Sequence, residues 1–502
     1  MQRGRSDWIA GSVLAALAAA LLLPNLGESY LWQDEAQTAV VARTILTDGV
    51  PRGTDGKNFF SQEQGREYGE GHLWKWHTWG SFYLTAASLF ALGETTTAAR
   101  LPFALLGVAS VVLAYFAGLT LWRDRRAAVA GACMLALSVP FLILSRQCRY
   151  YAAAGFLSLL GLHAYSRLRP AARAPAWWLF AAAVGLFHAH YVYCATLLAS
   201  LVVHALLFER ARLRPVVAVV FWTALLDLPW IVWFSDVRPA GESYAASVVD
   251  VAKFASFNLD YWALIFRWIF DPRFLLIVPV LVLWRHRSGE PPFDVTPETR
   301  RNVWLLVLYA AVSVALLSLL SPLLFYRYLA PLFAPAFLLT GLLVGSLMRR
   351  SVVLAAAVVI SWAATGTLFL HLVELRGEYQ GPIEGIVRFL DEHADPADVV
   401  AISYGDMPLK FYTNLRIVGG LTGENLAPAR TANWIVVRHF VNNDVDRRIR
   451  DELKGIVEAG GYRARRIDAP DTPFENRESP DVHRFRTAPR RVPRVVIFER
   501  MR

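Results

Sequence analysis

The chain has 502 residues, of which 55% are hydrophobic and only 18% charged; soluble domains stay nearer ~45–50% apolar, so an ordinary soluble globule is excluded. The net charge of +10 could suggest nucleic acid. The arginines, however, fall in small clusters between apolar runs rather than on one patch, which is the positive-inside pattern of a membrane protein. Cys133, Cys148 and Cys194 lie in or beside apolar segments without pairing or metal-ligand spacing, so no disulfide framework is implied.

Apolar runs of roughly 17–25 residues can cross the hydrocarbon as helices, and about eleven are present. The first runs from Trp8 to Leu26, with no small-residue cleavage site at its end, and reads as an uncleaved span. Arg3 and Arg5 place its start in the cytoplasm, so Tyr30-Leu31-Trp32-Gln33-Asp34-Glu35-Ala36-Gln37 follows just outside. Two adjacent acids beside a bilayer need a cation, a metal or hydrogen-bond donors to replace lost hydration. The same pair is also a good helix start, an N-cap followed by first-turn acids.

Residues 27–97 form a first outer loop too long to be a mere connection. Within it Trp79 to Leu92 is apolar but short of a full span, and is read as an interfacial or re-entrant helix. With that segment kept on the outer face, the clusters at Arg123 to Arg126, Arg167 to Arg173, Arg210 to Arg214, Arg285 to Arg287 and Arg349-Arg350 all face inward; a crossing there would turn all five outward. The later spans are then Ala98–Leu121, Ala127–Leu144, a return by Tyr165, a pair from Trp177 to Phe208 broken near His188 to Tyr191, Val216–Phe234, a span ending near Leu283, Val303–Leu320, Leu329–Leu347 and Val352–Leu372. A second outer loop covers Ser235 to Asp260, and a polar, Pro-rich inner loop covers Trp284 to Arg301.

Composition changes after Glu374. The division is a transmembrane domain over 1–373 and a soluble α/β domain over 374–502, outside the membrane because an odd number of spans precedes it. Helices are expected at 383–393, 407–414 and 447–459, and strands at 399–403, 434–437, 462–467 and 495–498. No Gly-rich phosphate loop lies at a strand–helix junction.

This topology sets Asp34, Glu35, Lys75, His77, Arg146, Arg149, Tyr151, His188, His190, Arg327 and Tyr328 at the outer leaflet. A carboxylate there can take the proton of an attacking hydroxyl, and Arg or Lys can hold a phosphate and stabilise its charge as it leaves. Each has a plainer reading. Arg146 and Arg149 suit interfacial anchors; His188 and His190 would point about 200° apart on a helix and suit polar lining better than a shared metal; Arg327-Tyr328 beside Pro322 and Pro331 suits a loop with a belt aromatic. Trp32, Trp74, Trp76 and Trp79 suit interface aromatics better than sugar platforms.

The ordered set Asp34-Glu35, Lys75-Trp76-His77, Phe82-Tyr83-Leu84, Gly93-Glu94, Ala99 to Gly107, Ser145 to Tyr151 and Phe325 to Pro331 resembles the membrane-embedded GT-C glycosyltransferases. Among these it looks most like the protein O-mannosyltransferase and lipid A aminoarabinose transferase group. The resemblance implies an inverting hexosyl- or pentosyltransferase that takes a sugar from a polyprenyl-phosphate donor at the outer face of the plasma (inner) membrane. The acceptor would be lipid A or lipopolysaccharide, another envelope glycan or a protein. It implies that Asp34 is the base and that Lys75 contacts donor phosphate; the shared outer level adds the expectation that Glu35 orients the acceptor or completes the site and that Arg149 and Arg327 hold the donor phosphate with Lys75, and His77, Arg146, Tyr151, His190 and Tyr328 are the further substrate-binding candidates. Where many relatives have Lys-Pro-Pro this chain has Lys75-Trp76-His77-Thr78, and where the aminoarabinose enzymes have Asp after Arg-Pro it has Tyr151. No metal ligand is assigned, and a divalent metal stays open to a chelator test. The rival classes are a lipid-linked sugar flippase, which should carry polar groups through mid-membrane and show paired halves, and a noncatalytic scaffold using the C-terminal domain.

Overall fold

A computed structural model describes residues 4–169, 173–235, 251–288, 296–320, 324–376, 381–440, 444–472, 483 and 492–501. Residues 170–172 of the basic linker, 236–250 of the second outer loop, 289–295 of the Pro-rich loop and Pro322 lie outside the described residues. In chain order the helices are α1 (Arg5–Leu22), α2 (Gln33–Asp48), α3 (Gly80–Leu92), α4 (Thr96–Trp122), α5 (Arg125–Leu137), α6 (Val139–Ser145), α7 (Tyr151–Ser166), α8 (Arg173–Ala189), α9 (Tyr191–Phe208) and α10 (Leu213–Ser235). There follow α11 (Val251–Trp268), α12 (Ile277–Ser288), α13 (Pro297–Leu320), α14 (Phe333–Met348), α15 (Val352–Thr365), α16 (Leu368–Glu374), α17 (Pro382–His393), α18 (Asp406–Tyr412) and α19 (Asp444–Glu458). The strands are β1 (Val399–Ile402), β2 (Arg416–Gly419), β3 (Trp434–Val436), β4 (Tyr462–Pro470) and β5 (Arg494–Arg500).

Among the described residues six helices are long and apolar enough to cross a membrane, and two further helix pairs qualify if each bent pair is one span. The chain is thus a polytopic helical membrane protein with a small sheet near its C-terminus. The segments read as the third and eleventh spans are the bent pairs: α5 and α6 meet at 64°, and α15 and α16 at 60°. Pro140 causes the first bend, because it cannot donate to the preceding turn and instead opens α6. At the second, Gly366 takes an extended conformation (φ −86°, ψ −171°) that ends α15. α3, at 13 residues, spans about 20 Å against a core of ~30 Å.

The chain divides into two compact units, Met1–Pro24 with Phe103–His371, and Asn25–Pro102 with Leu372–Arg502. In the first, α5 and α14 pack backbone to backbone. A Cβ on Gly345 would lie 2.6 Å from the Ala127 Cα, and one on Gly341 would lie 2.6 Å from the Gly131 amide nitrogen. Gly341 and Gly345 are a small-xxx-small pair, the spacing by which helices in lipid gain dispersion contact without a hydrophobic drive.

The second unit joins residues 25–102 to the C-terminal segment. Its sheet has the order β2-β1-β3-β5-β4; β1 is parallel to β2 and β3, while β5 is antiparallel to both β3 and β4. The sheet packs α17 over one face through Ile383, Ile386, Val387 and Leu390, and Ile449 and Leu453 of α19 cover the other. The segment before Trp74 docks on the edge strand. Asn58 donates to the Leu415 carbonyl (3.1 Å) and accepts from the Ile417 amide (2.8 Å), and the Gln64 amide donates to the Leu421 carbonyl (2.9 Å). α2 packs against both α3 and α18.

Candidate functional site

In the second unit the acids open α2. Trp32 precedes the helix in an extended conformation, and its amide donates to Glu35 Oε2 at 3.4 Å, so Glu35 serves the exposed end of the helix backbone. The Glu35 carboxylate is buried, 0% exposed, against the 2% exposed side chain of Arg100. Arg100 donates to it from Nε (2.8 Å) and Nη2 (2.7 Å) in fork geometry. The same guanidinium donates to the carbonyls of Leu26 (2.9 Å), Ser29 (2.7 Å) and Tyr30 (3.1 Å). Arg100 thereby ties the strand of chain before α2 to the helix start. Glu35 is spent on that tie, whereas Asp34, one residue earlier, is half-buried at the surface of the unit.

The loop that carries Lys75 and His77 is built on Glu67. Its carboxylate is buried and accepts from the Gln62 amide (2.8 Å), the Glu63 amide (3.1 Å), Gln37 Nε2 of α2 (2.8 Å) and the Ser61 hydroxyl. Burial raises the Glu67 carboxyl above its ordinary value, opposed by those hydrogen bonds. The Glu67 carbonyl accepts from the amides of Lys75 (2.7 Å) and Trp76 (3.1 Å). Lys75 lies across Gly69, where a Cβ would come within 3.0 Å of its stem. Glu63 keeps solvent contact, yet its carboxyl is pushed up to about 7, first by loss of hydration, then by Glu67, with Asp34 adding to it and Arg66 opposing. Asp34 and the 61–67 turn therefore share one electrostatic neighbourhood.

His77 stacks on Phe82 (centroids 4.9 Å apart) and meets the edge of Trp74 (5.8 Å), so its ring is part of the packing that seats α3. Trp74 and Trp32 are buried inside the unit, not interface aromatics: Trp74 accepts, at its carbonyl, a bond from Trp79 Nε1 (3.0 Å).

The first unit holds the other candidates. Arg146, at the end of α6, donates to the carbonyls of Leu22 (2.7 Å) and Pro24 (2.9 Å), capping the C-terminal end of α1 where carbonyls lack helical partners. The remaining five come together. Arg149 is 8% exposed, with its guanidinium 5.5 Å from the Tyr150 ring centre. Tyr150 meets Tyr151 (4.7 Å) and His190 (4.7 Å); His190 meets Tyr193 (4.7 Å) and Tyr328 (6.4 Å); Arg327 lies over Phe325 (4.0 Å) and Tyr328 (6.0 Å). His190 reaches this cluster because the helix stops at Ala189 and His190 is extended (φ −168°, ψ 111°). That break also separates it from His188, which instead faces Asp227 of α10 at 3.4 Å. Two guanidinium groups among tyrosine rings, largely out of water, suit an anion: charge interacts more strongly where solvent is excluded. Among the described residues no group of three or more His, Cys, Asp or Glu side chains is arranged to hold a metal ion.

Sequence reasoning gave no role to Arg100, Glu67, Tyr150 or Tyr193. Arg100 stood inside the quoted Ala99 to Gly107 stretch, and Tyr193 lies three residues after His190.

The fold, an apolar helical unit and a second unit in which residues 27–97 dock on a small C-terminal sheet, is similar to that of several solved membrane proteins. No protein-family model and no curated protein matches the chain. Among solved structures it is similar to ArnT from Cupriavidus metallidurans bound to undecaprenyl phosphate, at 14% identity over 99% of this chain and 98% of that one, with a TM-score of 0.56. The apo form of that protein gives 14% identity, 98% of each chain and a TM-score of 0.57. The Archaeoglobus fulgidus oligosaccharyltransferase in complex with zinc and sulfate gives 12% identity over 82% of this chain and 62% of that one, with a TM-score of 0.52.

Proposed function

We propose that this protein is an inverting glycosyltransferase that moves a monosaccharide from a polyprenyl-phosphate donor to an envelope acceptor on the outer face of the plasma membrane. In this reading about eleven spans cross the membrane, α3 lies in the interface, the N-terminus is cytoplasmic and the 374–502 domain is extracytoplasmic. Asp34 takes the proton of the acceptor hydroxyl; the oxygen attacks the anomeric carbon from the face opposite the phosphate; the C1–O bond to phosphate breaks, and polyprenyl phosphate leaves. Arg149 and Arg327 take the phosphate charge as it develops, and Lys75 adds a third cation. Tyr151, His190 and Tyr328 line the sugar or lipid-phosphate path. Arg146 and His77 support the substrate-binding surface through the packing described above. Glu35 acts on Asp34, by fixing its turn, and not on the substrate.

The observation that carries this is the division of labour in the acid pair: Glu35 is committed to Arg100, and Asp34 keeps a partly exposed place at the head of α2. The test is purified protein with labelled polyprenyl-phosphate sugars and a cell-envelope extract. Label should leave the lipid with the wild type, and Asp34→Asn, shown to be folded and inserted, should be slower by about 10²–10⁴-fold. Transfer at the wild-type rate by that variant would remove Asp34 from the chemistry. Label that crosses the membrane while still on its lipid would favour a flippase.

A further inference from the structure

Asp406 and Lys410 stand one turn apart on α18, and both side chains are 0% exposed. Lys410 Nζ donates to Asp406 Oδ2 (2.7 Å) and to the Phe59 carbonyl of the outer loop (2.7 Å). The other oxygen, Asp406 Oδ1, accepts from Gln33 Nε2 at 2.7 Å. Gly420 (φ +63°) presses on this carboxylate so closely that a Cβ would sit 2.1 Å from Oδ1; only glycine leaves room for it.

A buried ion pair is a poor stabiliser compared with apolar side chains of the same volume, so its presence calls for a directional purpose. The direction is toward Gln33, the residue before Asp34. Successive residues on a helix point about 100° apart, so fixing the side chain of Gln33 fixes the rotation of the first turn about its axis. Glu35, the residue after Asp34, is fixed by Arg100. Asp34 therefore stands between two tethered neighbours, one held by the C-terminal segment and one by α4. Farther along α2, Arg43 Nη2 donates to the Lys410 carbonyl (2.7 Å), and the Leu31 amide donates to the Tyr412 hydroxyl (2.8 Å), so α18 meets the helix on both sides of the acid.

We infer that the Asp406–Lys410 pair is the positioning device for Asp34, acting through Gln33, and that the C-terminal segment is in this sense part of the transfer machinery. The inference rests on Asp34 being the base.

The test uses the full-length protein and Gln33→Ala, which leaves the Asp406–Lys410 pair intact and so avoids a bare buried charge. Two measurements are made: the kcat and donor KM of sugar transfer, and hydrogen exchange of the backbone amides from Asp34 to Ala39. Gln33→Ala should lower kcat by about ten- to a hundredfold, since a misplacement near 1 Å costs about that much, with donor KM within about twofold. Exchange in the first turns of α2 should be at least about tenfold faster. Asp406→Leu combined with Lys410→Met, which removes the acceptor for Gln33 without leaving a buried charge, should reproduce both changes, while Ile497→Val, in the core of the sheet, should produce neither. Unchanged kcat, or unchanged exchange, in Gln33→Ala overturns the inference. A wild type that transfers no sugar while Gln33→Ala still loosens the turn would refute the base reading of Asp34 and leave the tether standing.

Discussion

Replacing Arg100 with methionine would leave the Glu35 carboxylate, 0% exposed, without a counter-charge. It would also strip a donor from the carbonyls of Leu26, Ser29 and Tyr30. Removing one member of a buried pair costs about 3–5 kcal/mol. The orphaned carbonyls belong to the same event, at ~1–3 kcal/mol each when fully buried, and because Ser29 and Tyr30 are only half-buried they add little beyond the upper end. For a unit of this size 1 kcal/mol moves the melting temperature by about 2–4 °C, so Arg100→Met should lower the melt of the second unit by roughly 6–20 °C. Adding Glu35→Leu removes the stranded charge and should recover more than half of that loss. The assay is a thermal melt of the detergent-purified single and double variants, with sugar transfer measured on the folded fraction. Glu35→Gln should lose stability first and rate second. If Arg100→Met melted with the wild type, and Glu35→Gln lost as much rate as Asp34→Asn at unchanged stability, then Glu35 would be a chemical group and the division of labour proposed above would be wrong.

Gly345→Leu places a side chain where the Ala127 backbone already lies 2.6 Å from a Cβ. The α5–α14 contact should open at a cost of at least about 1–3 kcal/mol, read as a lower melting temperature of the first unit, with Gly366→Ala near neutral as the comparison. The Glu63 carboxyl, held at about 7 in the fold against ~4.3 in an unfolded chain, makes the folded state bind a proton more readily. Its contribution to stability is therefore present at pH below about 4 and lost as pH rises through 7. Melts of Glu63→Gln across pH 5–8 should be flatter than wild type, though not flat, because the raised Glu67 carboxyl works in the same direction.

The long spans were legible because hydropathy over some twenty residues sums many small transfer energies, so a local error does not erase the signal. The bends were harder to read. Pro140 and Gly366 stand in apolar runs that a hydropathy sum carries straight through, although proline is itself a break signal. Strand β2 was missed because it opens on Arg416 and closes on Gly419, leaving only Ile417 and Val418 as an apolar signal, whereas β1 and β3 are apolar throughout. The ion pairs that shape the candidate site were hidden for a different reason. Asp406 and Lys410 have the i,i+4 spacing of an ordinary exposed helix pair; what makes them unusual is the burial supplied by Phe59 and Gln33, more than 300 residues away in sequence. Arg100 and Glu35 lie 65 residues apart, and nothing in either neighbourhood announces the other. Short-range pattern gave most of the elements; the hydrogen bonds that bind residues 27–97 together came only with the tertiary fold.

The acid pair shows why adjacency in sequence was ambiguous and geometry was not. On a helix, neighbouring side chains diverge by about 100°, so two acids in one first turn cannot both face the same place. One must turn inward, where it survives only with a bidentate partner and a backbone amide to accept from, and Glu35 has both. The other then takes the outward direction, and its aim is fixed by the neighbours on either side of it. The helix-start reading is met by Glu35, and the proposed active-site reading then falls to Asp34 alone. Glu35 satisfies the helix end and anchors it to Arg100; in the proposed reaction that anchoring, with the Gln33–Asp406 bond, would hold the half-exposed Asp34 carboxylate in the position from which it takes the proton.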